Sequence, residues 1–341
     1  MTTSRGGPIR FGINFLANNP LELLDWVKLC EATGYDIAGI GDSQSLYRDA
    51  YVCQTLVAVN TRSIRFGPRV LNPITRHPAV VAGAAATFEE IAPGRTIIGL
   101  GTGDSALLNV GLRPATHEEM RAYIKTVRDL LATGKAVYHG AACNLTWFRG
   151  RIPIHIAASG PKTLQLAGEI ADGVIINTGL RPENIKDAIE QVKIGCSRAA
   201  RDIGEIDMWW LPLANVRDDK AQAVDEIAMT LASAGSHLSK FTTSGKQIPD
   251  QLLDKVKELG RRYKFDQHDK PDSTNRDLIK ELGLLDYLAD RFSVAGPPKA
   301  CIAKLEAAIE AGARQFWISI HFDDKQRFIR EWAAKVIPAF R

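Results

Sequence analysis

The chain has 341 residues, of which 45% are hydrophobic and 24% are charged, so it can bury one large core. Its formal net charge of +4 is not concentrated in one block, which argues against a nucleic-acid partner, and its apolar runs are too short to span a membrane. Residues 1–10 lack the apolar segment of a secretory signal, and the five cysteines lie far apart with no C-x-x-C pair. These features predict a cytoplasmic protein with reduced thiols.

Eight short, largely apolar segments predict β-strands, and most are followed by an amphipathic helical run. Near-continuous apolar runs are typical of strands buried on both faces, as in parallel sheets. Proline at a first helical position marks helix starts at Asn19-Pro20 and Gly160-Pro161. Polar residues lie mainly at the strands' C-terminal ends, which is typical of an α/β protein with a (β/α)8 TIM barrel. The predicted strands are 9–16, 37–41, 64–71, 95–101, 152–158, 173–177, 208–215 and 314–320.

Because such barrels run to about 250 residues, we expect insertions within one domain of residues 1–341. Residues 134–151 predict a short loop or hairpin between helix 4 and strand 5. The largest insertion is predicted at 236–290, between helix 7 and strand 8, with helical runs around 251–263 and 275–288 separated by a polar stretch, 266–274. It would form a lid or substrate wall over the barrel's top face, or alternatively an oligomerisation element.

The first candidate site follows the fourth strand. Residues 99–106 contain G-x-G-x-x-A, the outline of a dinucleotide-binding fingerprint. A true fingerprint runs directly into a helix after the first strand, whereas here Gly111 and Pro114 intervene after the fourth. As a glycine-rich loop, Gly101 and Gly103 instead let the backbone pass close to a planar ring, with Asp104 directed into the barrel mouth. A helix or turn cap is the alternative role for Asp104.

The second candidate site is a strand end that passes into a helix N-terminus. Ser159, Gly160 and Lys162 there combine free N–H groups, a hydroxyl and a cation, which favour anion binding. Thr178 and Gly179 follow the next strand, so two adjacent loops suit one phosphorylated ligand. An ordinary helix N-cap is the alternative role for Ser159.

The third candidate site combines Asp42 and Ser43 after strand 2 with Asn72 after strand 3. In a barrel, the carboxylate, hydroxyl and amide all lie at the same end. His77 follows nearby, and because it precedes a proline it is either an acid/base residue or, in preference, a structural helix cap.

Several classes of function are disfavoured. No H-E-x-x-H motif occurs, and His321, Asp323 and Asp324 lack a second ligand set, so no metal site is predicted. A serine hydrolase would need a G-x-S-x-G elbow, which is absent. A phosphosugar isomerase or aldolase would need a lysine or a pair of glutamates at strand ends, and the predicted strands contain neither.

These motifs carry a resemblance that covers nearly the whole chain. The sequence resembles the bacterial luciferase-like superfamily, and within it the branch of the coenzyme F420-dependent methylenetetrahydromethanopterin reductases. The matching segments are 39–51 (GIGDSQSLYRDAY), 66–88 (FGPRVLNPITRHPAVVAGAAATF), 94–112 (GRTIIGLGTGDSALLNVGL), 157–177 (AASGPKTLQLAGEIADGVIIN) and 292–304 (FSVAGPPKACIAK).

The resemblance implies a flavin or deazaflavin at the C-terminal face, with its ring against strand 3, where a non-prolyl cis peptide would join Arg69 and Val70. Related enzymes often have histidine after the strand 2 aspartate and tryptophan a few residues later, whereas this chain has Ser43 and Tyr47. This chain therefore has no imidazole at that position to transfer a proton. The resemblance assigns the cofactor phosphate to Ser159, Gly160, Lys162, Thr178 and Gly179, and contacts with the ring or substrate to Asp42, Asn72 and Asp104.

Two chemistries fit the resemblance. Coenzyme F420 would exchange a hydride with a small organic substrate, which the similarity to the reductase branch favours. Alternatively, reduced FMN supplied by a partner flavin reductase would support oxygenation of such a molecule. The family also leaves open an alternative of another class, a non-catalytic flavin-binding protein, although the retained polar strand ends argue against it. It further implies a homodimer or higher homo-oligomer.

Overall fold

The computed structural model describes residues 7–240, 242–264, 267 and 273–341. Its strands are short and, apart from one hairpin, mostly buried, as the apolar runs predict. They are β1 (Arg10–Phe15), β2 (Ile37–Ile40), β3 (Arg65–Pro68), β4 (Ile98–Leu100), β5 (Lys135–Tyr138), β6 (Ala141–Asn144), β7 (Ile154–Ala158), β8 (Gly173–Ile176), β9 (Asp207–Trp210), β10 (Leu213–Val216), β11 (Ser293–Gly296) and β12 (Gln315–Ser319).

The helices begin where local signals place them. Asn19 accepts hydrogen bonds from two backbone N–H groups at the start of α1, and the predicted proline starts at Pro20 and Pro161 are confirmed. The helices are α1 (Pro20–Ala32), α2 (Ala50–Asn60), α3 (Pro78–Ile91), α4 (Ser105–Leu108), α5 (His117–Thr133), α6 (Pro161–Ile170), α7 (Pro182–Arg198), α8 (Lys220–Glu226), α9 (Ala228–Ser239), α10 (Asp250–Arg262), α11 (Thr274–Glu281), α12 (Leu285–Phe292), α13 (Pro298–Glu310) and α14 (Lys325–Lys335).

Eight parallel strands form a nearly closed barrel in the order β3-β2-β1-β12-β9-β8-β7-β4. Isolated parallel bridges, Phe66 with Thr96 and Leu71 with Leu100, bring the two end strands together. The predicted (β/α)8 barrel is therefore confirmed. Since all eight strands run the same way, the residues that follow them meet at one face.

The predicted strand 208–215 is wrong in one respect, because the structure contains two strands there, β9 and β10. Pro212 lies between them and has no N–H to continue a ladder. β10 pairs in parallel with β11, a strand that the sequence pattern does not predict. β11 was not predicted because it has only four residues and directly follows α12, so its sequence cannot be separated from the end of that helix by pattern alone.

Large side chains fill the barrel interior. Ile37, Ile97, Ile175, Trp209 and Trp317 form one buried cluster, and the rings of Trp209 and Trp317 lie 5.5 Å apart. Both tryptophans are fully buried, so they serve the packing of the core and are not available to a planar substrate.

The two predicted insertions contain ordered elements. The segment 134–151 holds the antiparallel hairpin of β5 and β6. In the segment 236–290, helices α10, α11 and α12 pack on α9 through Leu231, Leu259, Ile279 and Leu288, which are fully buried. Most of the predicted polar stretch 266–274 lies outside the described residues. No helix in the described part of the chain is long and apolar enough to cross a membrane.

Candidate functional site

Strands β2 and β3 place Asp42 and Asn72 together at the barrel mouth, where both side chains are buried. Asp42 Oδ2 accepts a hydrogen bond from Arg76, while Asp42 Oδ1 has no partner among the described residues. Asn72 Oδ1 accepts from the backbone N–H groups of Ile74 (3.0 Å) and Thr75 (2.9 Å), and its Nδ2 likewise has no partner in the described chain. Each residue is thus held by one polar atom and presents another.

The Asp42 carboxylate lies in a mixed environment. Burial raises its pKa, and the hydrogen bond and charge of Arg76 oppose that shift. Arg76 also lies over the ring of Tyr51, 4.6 Å from its centre, and its other terminal nitrogen lies 3.2 Å from Asp49. The guanidinium is therefore fixed from three sides, and it orients Asp42.

The predicted non-prolyl cis peptide between Arg69 and Val70 is confirmed. The glycines of the next strand make room for it. A Cβ on Gly101 would lie 2.9 Å from Val70 Cγ2, and a Cβ on Gly99 would lie 2.2 Å from the carbonyl oxygen of Pro68. Contact with the last residue of β3 and with Val70 just after it therefore explains the glycine-rich sequence, whatever ligand passes above it.

The loop after β4 turns at Gly103 and then presents Asp104. Gly103 has a φ of +103°, and a Cβ there would lie 2.2 Å from Leu107 Cδ1. Asp104 stands at the N-cap position of α4, but its side chain makes no capping hydrogen bond to that helix. Its carboxylate instead contacts the end of α9, where Lys240 Nζ lies 2.5 Å from both oxygens and His237 Nε2 lies 3.3 Å away.

Two loops meet above the barrel. The hydroxyls of Ser43 and Ser105 lie 2.7 Å apart, and Gln44 Nε2 donates to the carbonyl of Ala106 at 2.9 Å. Ser43 thus connects the β2 loop to the β4 loop. An imidazole still reaches this mouth, but it is His237 and it comes from α9.

Ser159, Gly160 and Thr178 line a small cavity at the N-terminus of α6, together with Lys246 and Arg291. Gly160 is the residue at the N-cap, and no side chain caps the helix, so the N-cap alternative for Ser159 is wrong. Thr178 is 8% exposed, and its Oγ1 has no partner within the described chain. This arrangement offers N–H groups and a hydroxyl to one ligand.

Lys246 brings positive charge to this cavity. Burial, with the nearby charges of Lys240 and Arg291, lowers its pKa to about 8. Its ammonium donates to the backbone carbonyls of His237 (2.9 Å) and Leu238 (3.2 Å) and to that of Lys240 (2.9 Å). At neutral pH the cation therefore lies beside Gly160, where a Cβ would be 3.7 Å from Lys246 Cε.

Arg291 is a connector rather than an exposed cation. It donates to the carbonyls of Thr178 (2.9 Å) and Lys246 (2.7 Å), and so joins the β8 loop to the segment after α9. Gly179 has a φ of +111°, and a Cβ there would lie 2.6 Å from Arg291 Cγ, so this glycine is required for that packing. Lys162 is exposed at the start of α6 and does not line the cavity.

His77 caps α3, because its Nδ1 accepts a hydrogen bond from the N–H of Ala79 at 3.2 Å. The structural alternative for this histidine is thus confirmed. In the described ranges, no three His, Cys, Asp or Glu side chains are grouped so as to hold a metal ion.

A sequence profile of the luciferase-like monooxygenases matches residues 5–315. The chain belongs to this luciferase-like family. It is 32% identical to the 5,10-methylenetetrahydromethanopterin reductase of Methanolobus tindarius over 89% of this chain and 92% of that protein. It is 27% identical to the F420-dependent glucose-6-phosphate dehydrogenase of Kineococcus radiotolerans over the full length of both.

The structure of the coenzyme F420-dependent tetrahydromethanopterin reductase of Methanopyrus kandleri is also similar. It superimposes with a TM-score of 0.80 at 25% sequence identity, covering 98% of this chain and all of that one. The luciferase-like barrel and its insertions thus match a solved reductase along nearly the whole chain.

Sequence reasoning missed four residues of this luciferase-like site. They carry no strand-end signal, because two lie within helices α9 and α12, one directly follows α9 and one lies in an irregular segment. Three of them lie within the insertion predicted at 236–290, whose expected position over the top face was the only pointer to them. The four are His237, Lys240, Lys246 and Arg291.

Proposed function

We propose that this protein is a coenzyme F420-dependent oxidoreductase that transfers a hydride to or from a small organic substrate. The observation that carries the proposal is a set of three buried polar atoms that have no hydrogen-bond partner among the described residues. They belong to residues that follow β2, β3 and β8. They are Asp42 Oδ1, Asn72 Nδ2 and Thr178 Oγ1. The reductases and the dehydrogenase that the chain resembles, each named for its substrate or its F420 dependence, support the same function.

These residues fit a deazaflavin in two parts. Asp42 supplies an acceptor and Asn72 supplies a donor, as the edge of a heterocycle with alternating carbonyl and N–H groups requires. Thr178, the uncapped N-terminus of α6 and Lys246 supply a hydroxyl, N–H groups and a cation, as a phosphate requires. Bound there, F420 would supply the carbon that donates or accepts the hydride.

The chain's own share is positioning, proton handling and exclusion of water. Arg76 holds Asp42, and Asn72 is held by two backbone N–H groups, so both side chains are ordered before a ligand binds. Asp104 lies between Lys240 and His237, where its carboxylate or the imidazole can hold a proton beside the mouth. The segment after α9 contacts this end of the barrel through Lys240, which lies against Asp104, and Lys246, which lies beside Gly160.

We also propose that the protein is a cytoplasmic homodimer that associates through α2 and α3. Large apolar side chains on these helices remain exposed, with Val52 at 59%, Val59 at 58% and Val80 at 55%. The five cysteines are free, which agrees with a reducing compartment. Light scattering on the wild type and on Val52→Glu tests the interface, since a monomeric wild type would exclude it.

Titration of the purified protein with F420 and with FMN, side by side, tests the proposed function. We expect F420 to bind with quenched fluorescence and a raised melting temperature, and FMN to produce neither effect. Preferential binding of FMN or its reduced form would instead favour a monooxygenase that depends on a partner flavin reductase. Failure of both to bind would overturn the cofactor site.

A further inference from the structure

The side chain of Arg69 crosses the inside of the barrel. Arg69 directly follows β3, and its Nη1 donates to the carbonyl of Trp317 at 3.0 Å, while its Nη2 donates to the hydroxyl of Ser319. Both acceptors belong to β12, and two strands, β2 and β1, separate β3 from β12 in the sheet. The guanidinium therefore reaches its partners through the interior, beneath the mouth.

No carboxylate among the described residues neutralises this cation. Among the described residues Arg69 forms no ion pair, whereas Arg76, a few residues further on, pairs with both Asp42 and Asp49. Burial lowers the pKa of Arg69 to about 9, so it remains protonated at neutral pH. A partly buried charge without a counter-ion is unfavourable, and a neutral side chain could bind the same two oxygens at lower cost.

A polar group beside Arg69 lacks a partner within the described chain. Asn14, on β1, is 3% exposed, and its Oδ1 has no hydrogen bond to the rest of the described chain. Gly39 lies between the two, because a Cβ there would be 2.8 Å from Asn14 Oδ1 and 3.0 Å from Arg69 Cβ. The Arg69 side chain and the Asn14 amide oxygen therefore both lie next to Gly39, which has no side chain to fill the space between them.

We propose that Arg69 is the counter-charge for the bound cofactor and stabilises its reduced form over its oxidised form. This inference rests on the proposed function. Hydride transfer carries two electrons and one proton, so the acceptor gains one unit of negative charge and the donor gains one unit of positive charge. A fixed guanidinium in a poorly solvated barrel stabilises the charge gained by the acceptor. Two of its five N–H donors bind β12, and three remain for that anion.

Binding of oxidised and of reduced F420, measured separately under anaerobic conditions, tests this role. We expect Arg69→Met to weaken binding of the reduced form at least tenfold more than that of the oxidised form. For a two-electron couple, a tenfold change in this ratio lowers the bound cofactor's midpoint potential by about 30 mV. Arg69→Lys keeps the charge and should hold the ratio within about threefold of the wild type.

Arg95→Met is the matched control. Arg95 also binds backbone carbonyls, those of Ala58 and Ile64, but it precedes β4 at the opposite end of the barrel. Its loss should lower stability without changing the ratio. If Arg69→Met does not fold, Arg69→Gln repeats the comparison, since its amide is polar but uncharged.

Three outcomes would overturn the inference. Equal weakening of both redox forms would assign Arg69 to packing alone, and unchanged binding of both would remove it from the cofactor site. If only the KM of an anionic substrate changed, Arg69 would bind the substrate's anionic group and not the cofactor. Failure of the wild type to bind either form of F420 is a different result, because it overturns the proposed function itself.

Discussion

Lys240 Nζ lies 2.5 Å from both carboxylate oxygens of Asp104, although 136 positions separate the two residues. The pair joins the loop after β4, which belongs to the barrel, to the segment after α9, which belongs to the predicted lid. Side-chain exposures of 19% for Lys240 and 33% for Asp104 place the contact at the edge of the mouth. It is therefore a point where the covering segment is attached to the barrel.

Lys240→Met should loosen that attachment. We expect backbone hydrogen exchange in residues 236–247 to rise severalfold, because the segment loses its contact with Asp104, while the free energy of unfolding changes by only about 1 kcal/mol. F420 affinity should fall as well, since Lys246 and the cavity beside α6 lie in the same segment. Exchange followed by mass spectrometry, with F420 titration, measures both effects.

Lys125→Met is the control for this prediction. Lys125 also lies 2.5 Å from a carboxylate, that of Asp129, but this pair is exposed on α5. The control should leave exchange in 236–247 and F420 affinity as in the wild type. Unchanged exchange in Lys240→Met would show that the ion pair does not hold the segment.

Thr178→Val should affect stability and binding in opposite directions. A buried hydroxyl without a hydrogen bond costs roughly 1–3 kcal/mol, and valine has the same shape without that cost. The ligand-free variant should therefore be as stable as the wild type or more stable by up to about 1 kcal/mol. F420 affinity should fall about tenfold, because the hydroxyl is assigned to the cofactor phosphate. Urea unfolding and F420 titration measure the two quantities.

Thr126→Val is the matched substitution away from the site. Thr126 is also buried, but its Oγ1 donates to the carbonyl of Ala122 at 2.9 Å. Its replacement should lower stability modestly and leave F420 binding unchanged. If Thr178→Val bound F420 as tightly as the wild type, Thr178 would not be a cofactor residue.

His155 should make stability depend on pH. Its ring is buried on β7, with Nε2 3.5 Å from Asp207 Oδ2, and burial lowers its pKa to about 4 against the opposing charge of Asp207. Between about pH 6.5 and pH 4 the unfolded chain binds a proton that the folded protein does not. The free energy of unfolding should therefore fall as pH drops through this range, by about 3 kcal/mol in total.

His155→Gln should remove this part of the slope, as measured by urea unfolding at pH 7 and pH 4.5. His139→Gln, on the exposed turn of the β5–β6 hairpin, is the control for losing a histidine elsewhere. A variant at position 155 with the wild-type slope would assign the pH dependence to other groups.

The barrel could be predicted because its signals are local. Apolar runs of strand length and prolines at helix starts need no long-range information. The prediction of the seventh strand is wrong only in that Pro212 divides it into β9 and β10. The cis peptide at Arg69–Val70 was predicted through the family resemblance and not from periodicity. The reasons for Gly101 and Gly179 could not be read locally, since the side chains that need the space, Val70 and Arg291, lie elsewhere in the chain.

The sequence by itself determined which polar residues stand at the barrel mouth. Asp42, Asn72 and Thr178 each follow a parallel strand, and parallel strands in a barrel end at one face. Only the tertiary structure decided the partners of these and other charges, such as Lys240 with Asp104 and Arg69 with Ser319. The physical reason is that a side chain's partner depends on which loops and strands meet in space, across 136 and 250 positions here, and local periodicity does not encode that choice.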